Sequence, residues 1–309
     1  MYIIGENIQI ISNLVRRAVD ERDAKPLQEL ARKQVAGGAQ MLDLNIGRRK
    51  KDGHEVMPWL VEIVHEVAPH VAVSLDTTNA TAIEAGLKRC QELGIEALIN
   101  STSADPERLE ATMPLAAEYG CKIIALTMEK SIPATADGRV QLAMEVILPK
   151  AMELGIPMEH VYLDPLVLTV KGMQEHATEN LNAIRMFKVL GDPLPMTVVG
   201  LSNVSNGVPE ENRSLINRTF LVMLMAAGLD SAIADPLDEA QNEVIRIIVG
   251  RDTSTAVGQL LMNLYDTTAA MEELDPSLVD MEDPKQAAIY KTLQILNNKV
   301  IYADAFLRM

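Results

Sequence analysis

Polar residues stand at the ends of several short hydrophobic runs in this chain, and their types limit the chemistry that the sequence can offer. Carboxylates accept hydrogen bonds, whereas carboxamides both donate and accept them. A set made of both suits a neutral, flat heterocycle whose edge carries adjacent N–H groups and ring acceptors. The strand-end residues are Asp43, Asn45, Asp76, Asn100, Thr127, Asp164, Asn203 and Asp235.

The hydrophobic runs that precede these residues alternate with segments of helical periodicity, which is typical of successive βαβ units. The pattern predicts one domain over residues 1–309, folded as a single (β/α)8 TIM barrel of class α/β. In such a barrel the carboxyl ends of all strands meet at one face, which carries the active site. The predicted strands are residues 2–5, 40–45, 71–76, 96–100, 121–127, 161–165, 196–203 and 230–235.

Two segments depart from the regular alternation. Pro149 lies inside a helical stretch over residues 141–154, so we expect an irregular fifth helix. Residues 251–283 are rich in acidic residues and separate two helical segments, which predicts an insertion within the eighth helical region. Its apolar residues indicate a short amphipathic helix rather than disorder, and a lid, a dimer contact and a partner docking site all remain open. These residues are Leu260, Leu261, Met262, Leu264 and Tyr265.

Composition excludes several classes of protein. Hydrophobic residues make up 48% of the chain but aromatic residues only 3%, which argues against a β-sandwich. The formal net charge of -15 disfavours binding to nucleic acid or to an anionic membrane surface. Cys90 and Cys121 show no metal-ligand spacing and are interpreted as buried thiols in a reducing compartment. The amino terminus resembles neither a secretion signal nor a membrane span, so we expect a cytoplasmic protein.

Strand-end polar residues also have a simpler explanation, because Asp and Asn after a strand commonly cap the next helix. Taken singly, Asp43 and Asp235 are best explained as such caps, although Asp43 stays among the candidate binding residues. The remaining carboxylates and amides would share one pocket that contains no lysine or histidine. That set favours a 2-amino-4-oxo pterin, whose N3–H and 2-amino groups present paired donors to one carboxylate. The residues of this predicted pocket are Asp76, Asn100, Asp164 and Asn203.

At this point the motifs resemble a known family, the pterin-binding methyltransferases of the methyltetrahydrofolate and corrinoid-protein type. The motifs are IGE, LDLNIG, LDTTN, INSTSAD, LTM, LDPL, GLSNVS and LINRTFL, in that order along the chain. The resemblance implies tetrahydrofolate or 5-methyltetrahydrofolate as the substrate and a cobamide supplied by a separate corrinoid protein. It also implies a homodimer. One departure is Asn7, which stands where the family often has arginine.

The resemblance assigns roles to particular residues. Asp76, Asn100 and Asp164 match the family residues that bind the pterin, and Asn203 matches the residue that hydrogen-bonds N5. Asn203 is therefore the predicted catalytic residue, because methyl departure requires N5 to gain positive character. The further substrate-binding candidates are Gly200, Ser202, Asp43 and Met128.

The proton for N5 is expected from solvent or from a water held by the carboxylates, because the sequence reveals no general acid with a suitable pKa. The histidines fall in helices or loops away from the strand ends, where a surface or core role is preferred. They are His54, His65, His70, His160 and His176.

Three alternative functions remain open. A dihydropteroate synthase would share the pterin pocket, although strand eight lacks the basic residues that hold a pyrophosphate. A barrel enzyme dependent on a divalent metal would use carboxylate ligands, whereas the pterin interpretation needs no metal. A non-catalytic folate-binding scaffold is the third. The carboxylates that a metal would use are Asp43, Asp76, Asp164 and Asp235.

Overall fold

The computed structural model describes residues 1–307 and shows eight parallel strands closed into one barrel. Closure is direct, since Tyr2 of the first strand pairs with Ser231 of the last. The predicted barrel is therefore confirmed. The strands are β1 (Tyr2–Gln9), β2 (Met41–Asn45), β3 (Ala72–Asp76), β4 (Ala97–Ser103), β5 (Lys122–Leu126), β6 (Val161–Asp164), β7 (Met196–Gly200) and β8 (Ser231–Ala234).

Helices surround the barrel and connect successive strands. They are α1 (Asn13–Glu21), α2 (Ala24–Ala36), α3 (Gly53–His65), α4 (Ala80–Leu93), α5 (Pro106–Tyr119), α6 (Ala136–Leu142), α7 (Leu148–Glu153), α8 (Val170–Met173), α9 (Glu175–Phe187), α10 (Glu210–Ala226), α11 (Glu239–Gly250), α12 (Ala256–Ala269) and α13 (Pro284–Leu296).

Three strands differ from their predicted bounds in ways that affect the site. β1 runs on to Gln9, with a register shift between Gly5 and Ile8, and β4 runs on to Ser103. β7 ends at Gly200, and a 3-10 turn over Leu201–Ser205 follows it. Asn203 therefore lies in a turn above the strand rather than at a strand end.

The interior of the barrel contains a layer of buried apolar side chains, one from each of seven strands. Residues of this layer alternate with residues that face the surrounding helices, because successive side chains of a strand point to opposite faces. The next inward position along several strands is polar, so the apolar layer is the floor of the site. Its fully inward members are Ile4, Met41, Ala72, Leu98, Ile124, Tyr162 and Val198.

The irregular fifth helix is observed. α6 and α7 are joined by a π-helical turn over Ala143–Ile147, directly before the helical turn that contains Pro149. Proline lacks the N–H that would complete an α-helical bond and crowds the carbonyl of the preceding turn. The wider π turn accommodates both defects without breaking the helix.

The acidic segment over residues 251–283 contains α12, so the predicted amphipathic helix is confirmed. Leu260, Leu261, Met262 and Leu264 are buried, and α12 packs against α10, α11 and α13 in the outer ring. That the segment is an insertion within the eighth helical region stays a prediction.

The two cysteines are free thiols that line one cavity at the amino-terminal end of the barrel. Cys90 is buried as expected, whereas Cys121 is partly exposed, which corrects the prediction that both are buried. Burial raises the pKa of each thiol to about 12, which keeps both protonated at neutral pH. Within residues 1–307 no helix is long and apolar enough to cross a membrane.

Candidate active site

A cavity of about 520 Å³ opens at the carboxyl ends of the strands, above the apolar floor. Seven of the predicted binding residues, Asn203 among them, line this cavity, although they come from different strands and loops. The seven are Asp43, Asp76, Asn100, Asp164, Gly200, Ser202 and Asn203. The volume lies within the usual range for a small-molecule site.

Met128 is the predicted binding residue that the structure places elsewhere. It lines a neighbouring cavity of about 220 Å³, which shares Asp76 and Asn100 with the main one. Its carbonyl accepts a hydrogen bond from the amide of Ala104, so the backbone of Met128 holds the loop after β4. Met128 therefore lies beside the main cavity, and its role as a substrate-binding residue stays a prediction.

Asp43 and Asp76 form the acidic side of the cavity. Asp43 accepts hydrogen bonds from Ser74 Oγ at 2.5 Å and from Asn100 Nδ2 at 3.1 Å, and Asn45 Nδ2 donates to Asp76. Burial raises the pKa of both carboxyls, and the negative charge of Asp43 raises that of Asp76 further. The pair therefore holds a proton more readily than two separate aspartates would.

Asp164 forms the opposite side of the cavity. Its Oδ1 accepts the amide of Leu166 at 2.7 Å, and its backbone carbonyl accepts Thr127 Oγ1 at 3.0 Å. Burial raises its pKa to about 7, although the amide of Leu166 and the buried guanidinium of Arg139 act in the other direction. Asp164 Oδ2 remains available as an acceptor, so this carboxyl can accept donors from a bound ring.

Glu6 is a cavity residue that sequence analysis did not single out. Its Oε2 accepts a hydrogen bond from Ser202 Oγ at 2.9 Å, and burial raises its pKa to about 7. A group with this pKa exchanges protons readily at neutral pH, which contradicts the inference that no suitable general acid is present. The missed signal was strand periodicity: Ile4 faces the barrel interior, so Glu6 two residues later does as well.

Asn203 is oriented by its neighbours. Its Oδ1 accepts a hydrogen bond from Asn206 Nδ2 at 3.1 Å, which leaves the Nδ2 group free to donate into the cavity. A Cβ atom on Gly200 would lie 2.9 Å from Asn203 Nδ2, closer than such contacts occur. A glycine is therefore required at position 200 for the amide to keep this position.

The helix-cap interpretation of Asp43 and Asp235 is wrong. Asp52 stands at the N-cap of α3, and Asp238 caps α11 by accepting the amide of Gln241 at 3.0 Å. Asp43 is buried within the barrel, and Asp235 accepts Asn7 Nδ2 at 2.9 Å. The loops between strand and helix are long enough for a later residue to serve as the cap.

Asp235 also does not line the cavity, so the four aspartates considered as metal ligands are not brought together. Within residues 1–307 no group of three or more histidine, cysteine or acidic side chains is arranged to hold a metal ion. No histidine of the described chain lines the cavity either. His176 contacts Arg139 instead, through Nδ1 at 2.7 Å.

Comparison with known proteins agrees with the barrel and its polar mouth. The family model described as "Pterin binding enzyme" matches residues 14–235. The chain belongs to this family of pterin-binding enzymes.

Two relatives are more specific. The methylcorrinoid:tetrahydrofolate methyltransferase of Eubacterium limosum is 28% identical over 240 residues, which cover 76% of this chain and 85% of that protein. A methionine synthase of Mycobacterium leprae is 32% identical over 232 residues, or 72% of this chain. The match covers 19% of that synthase, so this chain corresponds to about a fifth of it.

Solved structures show the same fold at low sequence identity. The 7,8-dihydropteroate synthase of Vibrio fischeri superposes with a TM-score of 0.59 and 17% identity, over 82% of this chain and 94% of that one. The Xanthomonas albilineans dihydropteroate synthase also reaches 0.59, at 12% identity, over 82% and 93% of the two chains. These similarities establish the architecture alone.

Proposed function

We propose that this enzyme transfers a methyl group between N5 of tetrahydrofolate and the cobalt of a corrinoid carried by a separate protein. The observation that carries the proposal is the arrangement of Asp76, Asn100, Asp164 and Asn203 around one cavity. The methylcorrinoid:tetrahydrofolate methyltransferase relative, which matches most of both chains, supports the same reaction.

The cavity suits the pterin ring in its pattern of donors and acceptors. An ionised Asp164 would accept the N3–H and 2-amino groups as a pair, an arrangement that strengthens both hydrogen bonds. Asn100 offers an amide on the opposite wall, where Asp43 orients it. The apolar floor and Leu126 would contact the ring below and beside these groups.

Asn203 and Glu6 would act at the reacting end of the ring. The free Nδ2 group of Asn203 can donate to N5, and this bond gains strength as the C–N bond to the methyl group breaks. Glu6, with its pKa of about 7, can exchange the proton that N5 gains or loses, directly or through a water. The corrinoid is a second substrate, brought to the open mouth by its own protein.

The decisive experiment mixes the protein with tetrahydrofolate and free methylcobalamin and follows the cobalamin absorption spectrum. We expect loss of the methylcobalamin spectrum and formation of 5-methyltetrahydrofolate in equal amounts. Asn182→Ala is a matched control, because Asn182 is an exposed asparagine on α9, away from the cavity. No turnover together with no affinity for tetrahydrofolate would refute the proposal.

A dihydropteroate synthase is the second candidate, because such an enzyme would also bind a pterin in the central cavity of a pterin-binding barrel. That reaction must hold a pyrophosphate, yet no lysine or arginine in the described chain lines the central cavity. Condensation of p-aminobenzoate with a pterin pyrophosphate by the purified protein would favour this candidate over the methyltransferase. A homodimer is also proposed, from the family resemblance, and sedimentation equilibrium tests it.

A further inference from the structure

The loop between β2 and α3 carries four consecutive basic residues in a chain whose net charge is -15. Arg48, Lys50 and Lys51 are exposed, and within residues 1–307 none of them pairs with a carboxylate. We refer to Arg48–Lys51 as the basic segment. Such a concentration of unpaired positive charge attracts anions, most strongly those that contact the side chains themselves.

The basic segment borders the central cavity. It begins three residues after Asn45, which lines the cavity, and Gly47 packs against the side chain of Ile10. Ile10 lies between two further lining residues, Gln9 and Ile11. The segment therefore continues from the cavity wall at the face of the barrel where the mouth opens, although none of its own residues lines the cavity.

The backbone of this loop is held in place. Thr77 Oγ1 donates to the carbonyl of Gly47 at 2.5 Å, and Asn79 Nδ2 donates to the carbonyl of Arg49 at 3.0 Å. Arg49 itself forms ion pairs with Asp20 and Asp52, the latter at 2.6 Å. One of the four basic residues is therefore neutralised and anchors the loop, while the other three remain free to bind an anion.

The interior of the cavity has the opposite character. Its walls carry the carboxyls of Glu6, Asp43, Asp76 and Asp164. An anionic group is repelled from these walls, even though their raised pKa values keep part of the charge neutralised. A ligand with a neutral ring and an anionic tail would thus bind with the ring inside and the tail directed to the rim.

We propose that the basic segment binds the glutamate tail of a folate whose pterin lies in the central cavity, and that the enzyme prefers folates with several glutamates. This inference rests on the proposed function. Each added γ-linked glutamate contributes one more carboxylate, and the three free cations offer partners for several of them. Exposed ion pairs each change an affinity by a factor of about 1.5 to 5, so the two carboxylates that a triglutamyl folate adds to a monoglutamyl one predict a preference of about 2- to 25-fold, with roughly ten-fold as a middle value.

Calorimetry with monoglutamyl and triglutamyl tetrahydrofolate tests the inference. We expect the triglutamyl form to bind roughly ten-fold more tightly, and the preference to shrink at about 0.5 M KCl because exposed charges are screened. The variant Arg48→Ala/Lys50→Ala/Lys51→Ala should lose the preference and keep most of its affinity for the monoglutamyl form.

The matched control removes the same number of charges elsewhere, as Lys25→Ala/Arg32→Ala/Arg246→Ala. These three residues are exposed on α2 and α11 and form no ion pair within the described chain. The control should keep the preference. A control that loses the preference as fully as the basic-segment variant would overturn the inference, since the effect would then follow from net charge alone.

Other outcomes separate the inference from the proposed function. Equal binding of the two folates to the unmodified protein would overturn the inference and leave the methyltransferase proposal standing. Binding of neither folate would overturn both. A basic-segment variant that keeps the preference but loses methyl transfer with a corrinoid protein would also overturn the inference, because the segment would then bind an acidic partner.

Discussion

Replacing Asp164 by asparagine is expected to stabilise the ligand-free protein at pH 8 and to remove most of its affinity for tetrahydrofolate. The carboxyl is buried, and burial raises its pKa from 3.8 to about 7. At about 1.4 kcal/mol per pH unit, ionising it in the folded state costs about 4 kcal/mol relative to the unfolded chain. Asparagine keeps the acceptor for the amide of Leu166 but has no proton to lose.

The sign of this effect depends on pH. Below about pH 4 the carboxyl is protonated in both states, so it has no effect on stability. Between about pH 4 and 7 only the unfolded chain releases the proton, and the unmodified protein loses stability as pH rises. The advantage of Asp164→Asn should therefore be about 4 kcal/mol at pH 8 and less than about half of that at pH 5.

Urea unfolding at pH 5 and pH 8 measures this difference, and calorimetry measures the affinity for tetrahydrofolate. Asparagine leaves a pterin donor unpaired, which costs about 1 to 3 kcal/mol and weakens binding by about five-fold to 150-fold. Asp235→Asn is the matched control, because Asp235 also follows a strand but lies outside the cavity. Equal or lower stability of Asp164→Asn at pH 8 would refute the desolvation argument, and unchanged folate affinity would refute the role of the carboxylate.

Three further predictions concern other parts of the molecule. Asn203→Ala should lower the rate of methyl transfer by about a hundred-fold or more while changing the dissociation constant for tetrahydrofolate far less, because its bond strengthens towards the transition state; equal losses in the kinetic and binding assays would contradict this role. Glu6→Gln should remove one of the two ionisations expected in the pH–rate profile near pH 7 and leave that of Asp164, and a profile identical to that of the unmodified enzyme would exclude Glu6 as the proton-exchanging group. Leu261→Ala should lower the free energy of unfolding by about 2 to 5 kcal/mol in urea titrations, because the side chain is buried between helices. A loss below about 0.5 kcal/mol would show instead that α12 does not contribute to the core.

The architecture and the position of the site follow from local features of the sequence. Apolar runs that alternate with amphipathic segments specify strands and helices, and eight such units close a barrel whose carboxyl ends meet at one face. Asp76, Asn100 and Asp164 could therefore be assigned to a common mouth without knowledge of any contact. The irregular helix at Pro149 was predictable for the same reason, since a proline affects only its own helical turn.

The tertiary structure decided which strand-end residues face the cavity and what charge they carry. Asp43 and Asp235 stand at equivalent places in the sequence, yet one is buried in the barrel and the other pairs with Asn7 on its rim. The raised pKa values of Glu6 and Asp164 come mainly from desolvation, because the fold buries both carboxyls. Periodicity in the sequence predicts where the strands lie. The burial of a side chain and its electrostatic environment depend on residues that are far away along the chain, and only the folded chain brings these residues together.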